Sequence, residues 1–464
     1  MAIRAKQLGI NLICVDNGWF GNLYNDKASL CDMAANRENF PFGLNGLSRE
    51  LNALGVKLGL WLEPEMIPED SKIAKLHPDW ILKTHESNPH QFIRNQSSFV
   101  LDLSRQEIVD YLFGTLYELM SSANIDYIKW DMSRPLTDIY RLRDKSVGGY
   151  RLQVETGIPF DIWQSEHCHR YVLGLYELQS RLVSAFPNIL FETCASGGSR
   201  FDGGMLYYSP LVWCSDNTDA ISRLKIQYGT SILYPTSSIG SHVTAVPNRV
   251  TGNYTRARTR VFVAMNGRFG FQLDVNQLSK YDMYKYTEQV KIYKAVASII
   301  HYGSLYRLWS PFQSSYSAFL YASRDKSEAV VFGFSMNCSH WNEAVPSLCL
   351  QGLDKDATYE VTEIMPNNII QSPGNFRMTT TCSPRFQLGV PSKDFPANIL
   401  INIGLPVKFF SLDDSVCFFL CKVDNEKIVD RRNLSSRKKI NDLRHRWQSD
   451  WRDFYTTLYE YEFQ

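Results

Sequence analysis

In the stretch IDYIKWDMSR, Ile125 to Arg134, a lysine and an aspartate stand two residues apart at the end of an apolar run. On a strand that spacing turns Lys129 and Asp131 to one face. An ammonium a few ångströms from a carboxylate favours its charged form. Such a pair can hold a carboxylate ready for nucleophilic attack; at a strand end it also serves as a solvated cap. Other apolar runs end in the same way. Asp16, Asn17 and Trp19 follow the first, and Trp61, Glu63 and Glu65 close the second. Glu192 and Cys194 end another, Asp216 and Asp219 the next, and His242 lies just beyond the run after that. Five successive ends bearing carboxylates, with aromatic residues and a lysine among them, suit glycoside hydrolysis. That chemistry needs two carboxyl groups and donors for sugar hydroxyls.

The elements that would hold these residues are short apolar runs alternating with amphipathic stretches. The runs are INLICVD (10–16), KLGLWLEPE (57–65), IDYIKWD (125–131), NILFETC (188–194), LVWCSD (211–216), SILYPTSSIG (231–240) and RFGFQLD (268–274). Between them, segments such as 105–123 and 168–186 repeat apolar residues every three or four positions, as helices with one buried face do. Buried strands alternating with helices imply a parallel sheet, because parallel neighbours need a crossover. Seven such units favour an α/β architecture of the (β/α)8 TIM-barrel type over an open sheet, with active-site residues at the C-terminal strand ends. The chain opens on AIRAKQLG, which reads as the helix before the INLICVD strand. The first barrel strand is therefore expected upstream of Met1, leaving the barrel one strand short with an unpaired edge. From about 304 the pattern changes to strands and turns (AFLYASRD, EAVVFGFSM, ATYEVTEIM, VCFFLCKV), a small antiparallel β domain. The expected organisation is 1–303 catalytic barrel, 304–423 β domain and 424–464 charged and aromatic tail, read as a helix or an unstructured segment.

Composition narrows the class. At 464 residues, 44% apolar and 21% charged, the chain reads as a globular protein of more than one domain. A net charge of +1 gives no support for a nucleic-acid or membrane partner. Neither a signal peptide nor a run of about 18 apolar residues is found, so a cytoplasmic location is expected. The 10 cysteines include no CxxC pair, which predicts free thiols in a reducing compartment. The run EHCHR (166–170) has metal-binding residue types, but they are consecutive and lack a second half-site, so no metal and no cofactor are expected. CASGGSR (194–200) lacks the lysine and spacing of a phosphate-cradling loop.

The segments VDNGWFG, GLWLEPEMI, IKWDMSR and ETCASGGSRFDGGMLYYSPLVWCSDNTDAISRLKIQYGTSILYP, in this order and spacing, resemble glycoside hydrolase family 36, the α-galactosidases of bacteria and some eukaryotes. The resemblance runs from about residue 3 to 423. It implies a central (β/α)8 barrel and a small C-terminal β domain; the family's large N-terminal β-sandwich has no counterpart in this sequence. It further implies a retaining α-galactosidase acting on melibiose, raffinose-type oligosaccharides or other galactosides. The KWD match makes Asp131 the nucleophile and Lys129 a substrate contact. The SDNTDA match (215–220) makes Asp216 the general acid/base, with Trp213 and Cys214 offering an apolar setting. Asp219 is then expected to cap the following helix. Asp16, Trp61, Arg94, Cys194 and Gly197 are implied sugar contacts, and Asn17 joins them where the family usually carries a second aspartate. Ser199 replaces a common glycine. The retaining mechanism requires carboxyl groups about 5–5.5 Å apart, here at strands four and six and expected to face across the barrel mouth. A raffinose-synthase-like galactosyltransferase and an inactive truncated fragment remain the alternatives. Assembly in the family uses the N-terminal domain, so homo-oligomer formation stays open.

Overall fold

Apolar runs become strands here because both of their faces are covered. A computed structural model of the chain describes residues 1–20, 35, 36, 38–68, 71–82, 98–133, 136, 166–336, 345–364, 393–409 and 413–423, with the backbone of 457–460. The strands are β1 Leu12–Val15, β2 Lys57–Leu62, β3 Met66–Pro68, β4 Ile81–Leu82, β5 Ser98–Leu101, β6 Tyr127–Trp130, β7 Leu190–Thr193, β8 Leu211–Trp213, β9 Ile239–Thr244, β10 Arg268–Gln272, β11 Ser304–Trp309, β12 Tyr316–Ala322, β13 Glu328–Ser335, β14 Thr358–Glu363, β15 Lys393–Pro396, β16 Ser415–Lys422 and β17 Thr457–Glu460. Strands β1, β6 and β8 are buried along their whole length. This is the pattern of a parallel sheet screened on both sides.

The parallel strands are those of a TIM-type barrel, with β17-β1-β2-β6-β7-β8 side by side and β9 beside β10. Two departures from the expected strands stand out. The run 231–240 is not a strand: the helix Ala220–Leu233 continues into it, and β9 begins at Ile239. The edge expected to lie open beside β1 is also occupied. β17 pairs with β1 in parallel, Leu12 opposite Thr457 and Val15 opposite Glu460, while β2 takes the other side. Part of the segment read as a tail is therefore a barrel strand.

The chain divides into two compact units. One comprises Met1–Asp216, Leu273–Asn276 and Thr457–Gln464; the other comprises Asn217–Gln272 and Gln277–Thr456. In the first, the helices Gln106–Ser121 and His167–Ala185 pack on each other. They bury Ile108, Leu112, Leu116 and Leu119 on one side, and Tyr171, Leu175, Leu178 and Leu182 on the other. A three-stranded antiparallel sheet, β3-β5-β4, which the sequence reading did not include, follows β2.

In the second unit, β9 and β10 pair in parallel. A six-stranded antiparallel sheet runs β11-β12-β13-β16-β14-β15. Its core includes Leu320, Val331, Tyr359, Val361, Leu405 and Leu420. The edge strand β15, KDFP, was not expected. Its proline is tolerated because an edge strand has one side without a ladder. Among the described residues no helix is long and apolar enough to cross a membrane.

Candidate active site

The site is built on the C-terminal ends of β1, β2, β6, β7 and β8, all in the first unit. The register explains why. Trp61 on β2 lies opposite Lys129 on β6, and Lys129 lies opposite Glu192 on β7. Residues paired across parallel strands share a face, so these three point the same way, with Asp131 two residues beyond Lys129. Trp130, between them, points to the other face and is fully buried.

Asp131 is half-buried, and both of its oxygens are engaged. Oδ2 accepts from the Trp61 indole Nε1 at 3.1 Å, and Oδ1 from the Met132 backbone N–H at 2.8 Å. Trp61 is itself fixed: its carbonyl accepts from Trp19 Nε1 at 2.8 Å, and Phe20 stacks parallel to its ring. The backbone N–H of Asp131 donates to Leu62 O at 2.7 Å, which seats the residue against the end of β2.

Lys129 is buried, and its ion-pair partner is Asp16, with Nζ 3.9 Å from Oδ2. Burial by itself pulls the ammonium's pKa down, but Asp16, with Glu192 and Asp131, outweighs it and holds the group above the ordinary lysine range. Lys129 therefore stays charged at any physiological pH. Its ammonium also lies 5.6 Å from the centroid of Trp213, within cation–π range. The lysine is shared among several anions, with Asp16 the largest influence. Asp16 Oδ1 in turn accepts from the Asn17 backbone N–H at 2.8 Å, and Asn17 is exposed.

At the end of β8, Asp216 Oδ1 accepts from Trp213 Nε1 at 3.1 Å. Trp213 stands beside Asp216 as the sequence suggests, yet as a donor, and Asp216 is exposed, not set in an apolar pocket. β7 alone separates β6 from β8, so the two aspartates sit on strands one apart and not across the mouth. Asp219 caps the helix Ala220–Leu233, accepting from the Ser222 N–H at 3.0 Å.

The loop after β7 lies against both aspartate-bearing strand ends. Cys194 N–H donates to Trp130 O at 2.8 Å and its carbonyl accepts from Met132 N–H at 3.1 Å. Its thiol is buried, and burial together with Asp131 pushes its pKa well up, so the sulfur is neutral. Gly197 has φ +87°, and a Cβ there would stand 2.9 Å from Ser215 Cα and 3.0 Å from Asp216 N. Only glycine lets the loop approach this closely in that conformation.

Two strand-end carboxylates have other partners. Glu63 accepts from the Ser133 N–H at 2.6 Å. Glu65 is buried on the helix side of β6, where Arg200, Trp130 and Tyr171 surround it. Arg200 was not singled out as functional by sequence reasoning; its partner Glu65 becomes visible only in the fold. Arg94 lies outside the described residues. Among the described residues no group of histidine, cysteine and acidic side chains could hold a metal ion.

The family profile described as Melibiase matches residues 1–303, and that of the glycosyl hydrolase family 36 C-terminal domain matches 316–420. The chain belongs to glycoside hydrolase family 36. It is 44% identical over 361 residues to alpha-galactosidase AgaA of Geobacillus stearothermophilus, covering 78% of this chain and 47% of that one. To alpha-galactosidase 1 of Pediococcus pentosaceus it is 43% identical over 357 residues, 77% of this chain and 46% of the relative. The crystal structure of the Geobacillus family 36 enzyme superimposes with a TM-score of 0.76 at 38% identity, covering 91% of this chain and 52% of that one. A variant of that enzyme has been solved in complex with raffinose, again with a TM-score of 0.76, at 37% identity and with coverage of 91% and 52%. The chain thus spans about half the length of the family 36 relatives it matches.

Proposed function

We propose that this chain is a retaining α-galactosidase, with Asp131 as nucleophile and Asp216 as general acid/base. The observation that carries the reading is the fixing of Asp131 at the end of β6. Its two oxygens are oriented by Trp61 and Met132, and the cationic Lys129 lies on the same strand face. Attack by Asp131 on the anomeric carbon breaks the bond to the leaving oxygen, which takes a proton from Asp216. Water, deprotonated by Asp216, then displaces Asp131 from the sugar. Two displacements restore the original anomeric configuration. Lys129 and Asp16 present a donor and an acceptor to sugar hydroxyls, Trp61 faces the ring, and Asn17, Arg94, Cys194 and Gly197 complete the contacts. The raffinose complex of the Geobacillus relative supports a raffinose-type oligosaccharide as substrate. The catalytic module is residues 1–303 together with the strand at 457–460, and the location is cytoplasmic.

Hydrolysis of a chromogenic α-galactoside, beside the matching α-glucoside and β-galactoside, tests the reading. Turnover of the α-galactoside alone is expected, with Asp131→Asn reducing it on the order of 10³-fold or more. Asp216→Ala should spare substrates with a good leaving group and cripple raffinose, since only a poor leaving group needs the proton. A covalent sugar adduct on any residue other than Asp131 would sink the assignment. Formation of larger sugars in place of free galactose, when an acceptor is supplied, would make the chain a transferase.

A further inference from the structure

The end of β2 and the turn that follows it hold the strand end bearing Asp131 from three points. Leu62 O accepts from Asp131 N–H at 2.7 Å, and Glu63 Oε1 accepts from Ser133 N–H at 2.6 Å. Glu65 Oε1 accepts from the Trp130 indole at 2.8 Å. The residues on both sides of Asp131 are therefore tied to one four-residue segment. Glu65 does more than this. Its carboxylate is fully buried and takes a bidentate pair from Arg200, 2.5 Å from Nη1 to Oε1 and 2.8 Å from Nη2 to Oε2. Oε2 also accepts from Tyr171 OH at 2.5 Å, on the helix His167–Ala185. Burial alone would favour the neutral acid, but the Arg200 guanidinium and the three donors outweigh it and hold Glu65 below its ordinary range, so the hub is an anion.

Arg200 is the far end of the loop that begins at Cys194 and carries Gly197 against Ser215 and Asp216. One carboxylate thus joins the strand end bearing Asp131 to the loop that packs beneath Asp216. None of the Glu65 contacts reaches the sugar-facing side. A bidentate guanidinium pair is a stiff joint, since both groups are planar and their relative orientation is fixed.

We propose that Glu65, through Trp130 and Arg200, is a positioning residue that sets Asp131 relative to the Cys194–Arg200 loop, and with it the spacing of the two catalytic aspartates. The proposal rests on the function given above. Displacing a reacting group by about 1 Å costs on the order of 10²-fold in rate. Loosening this joint should therefore appear in kcat and not only in stability.

The test compares Glu65→Gln, Arg200→Met and Trp130→Phe in the full chain. Active sites are counted with a galactose-configured covalent inactivator, so that unfolded protein does not enter kcat. The control is Lys57→Met, which removes the Lys57–Asp126 ion pair (2.5 Å) joining the opposite ends of the same two strands. The three variants should lose about 10–100-fold in kcat per titrated site with KM within a few-fold. The double variant Glu65→Gln/Arg200→Met should fall little further than either single change, as expected for groups acting as one unit. Lys57→Met should lower the melting temperature and leave kcat per site within about two-fold. Unchanged kcat per site in the three variants, with falls in melting temperature alone, would overturn the positioning role while α-galactoside turnover by the wild-type chain kept the functional reading intact. A wild-type chain that is folded but turns over no α-galactoside would remove both.

Discussion

The Trp61 indole donates to Oδ2 of Asp131 at 3.1 Å across two neighbouring strands, 70 residues apart in the chain. A nucleophilic carboxylate benefits from such a donor, which fixes the plane of the group and keeps the second oxygen's lone pairs in a defined direction. The cost is some basicity. Trp61→Phe keeps an aromatic ring on the same strand and removes only the donor. A hydrogen bond to a charged group contributes about 1.5–3 kcal/mol, so kcat/KM should drop on the order of 10–100-fold. Steady-state kinetics on an aryl α-galactoside decide this. A rise in KM with kcat intact would restrict Trp61 to holding the sugar.

Gly197 permits the close approach of the loop after β7 to the end of β8. An added methyl would stand 2.9 Å from Ser215 Cα and 3.0 Å from Asp216 N, at a φ of +87° that side-chain-bearing residues rarely adopt. Backbone atoms cannot yield as a flexible side chain can, so Gly197→Ala must move either the loop or the residue bearing the second aspartate. The expected result is a loss of about 1–3 kcal/mol in stability and a fall in kcat/KM on the order of 10²-fold. Thermal unfolding and kinetics on the same preparation measure both. A variant with wild-type kinetics would show that the loop has room that the structure denies it.

How much of this was legible in the sequence depends on the distance between interacting residues. Lys129 and Asp131 share a strand face because they are two apart, and that is readable from IKWD alone. The helices at 106–121 and 167–185 were readable from their periodicity. The run SILYPTSSIG misled because its first three residues complete a helix, and an apolar triplet before a proline does not distinguish a helix end from a strand. Glu65 and Arg200, 135 residues apart, look like two surface charges until the fold brings them together. β17 is four residues, TLYE, in a polar and aromatic stretch, and a strand so short carries no periodic signal.

Glu63 is a half-buried carboxylate whose pKa is raised to about 7. Burial is the main cause; the Ser133 hydrogen bonds oppose it, and the neighbouring Asp131 charge adds to it. In the unfolded chain the same group titrates near 4.5. Between those values the folded state holds a proton that the unfolded state has released, so stability falls as pH rises from about 4.5 to about 7 and is level beyond. Glu63→Gln keeps an acceptor for Ser133 and cannot ionise. Its melting temperature should match wild type near pH 4.5 and exceed it increasingly up to pH 7–8, by an amount equivalent to about 2–3 kcal/mol. Parallel melting curves across this range would show that Glu63 ionises as freely folded as unfolded.

The strand β17 makes a prediction about β1, the strand that carries Asp16. β1 is four residues long, LICV, and buried along its length. With β2 on one side only, it would present a row of unmatched backbone donors and acceptors on the other, and such edges are open to water and to pairing with other chains. In the structure that side is taken by Thr457–Glu460, in register from Leu12–Thr457 to Val15–Glu460. Proline has no N–H to give to the ladder, so Leu458→Pro with Tyr459→Pro should undo the pairing without shortening the chain. Each lost ladder bond costs about 0.5–1.5 kcal/mol. The added exposure of β1 should bring the total to the order of 2–3 kcal/mol, seen as a lower melting temperature. Amide exchange gives the sharper readout. Within Leu12–Val15, the N–H groups aimed at β17 should lose protection while those paired with β2 keep it. Because Asp16 follows β1 directly and pairs with Lys129, KM for the galactoside should rise in the same variant. Unchanged protection and melting temperature would mean that something other than Thr457–Glu460 covers β1 in solution.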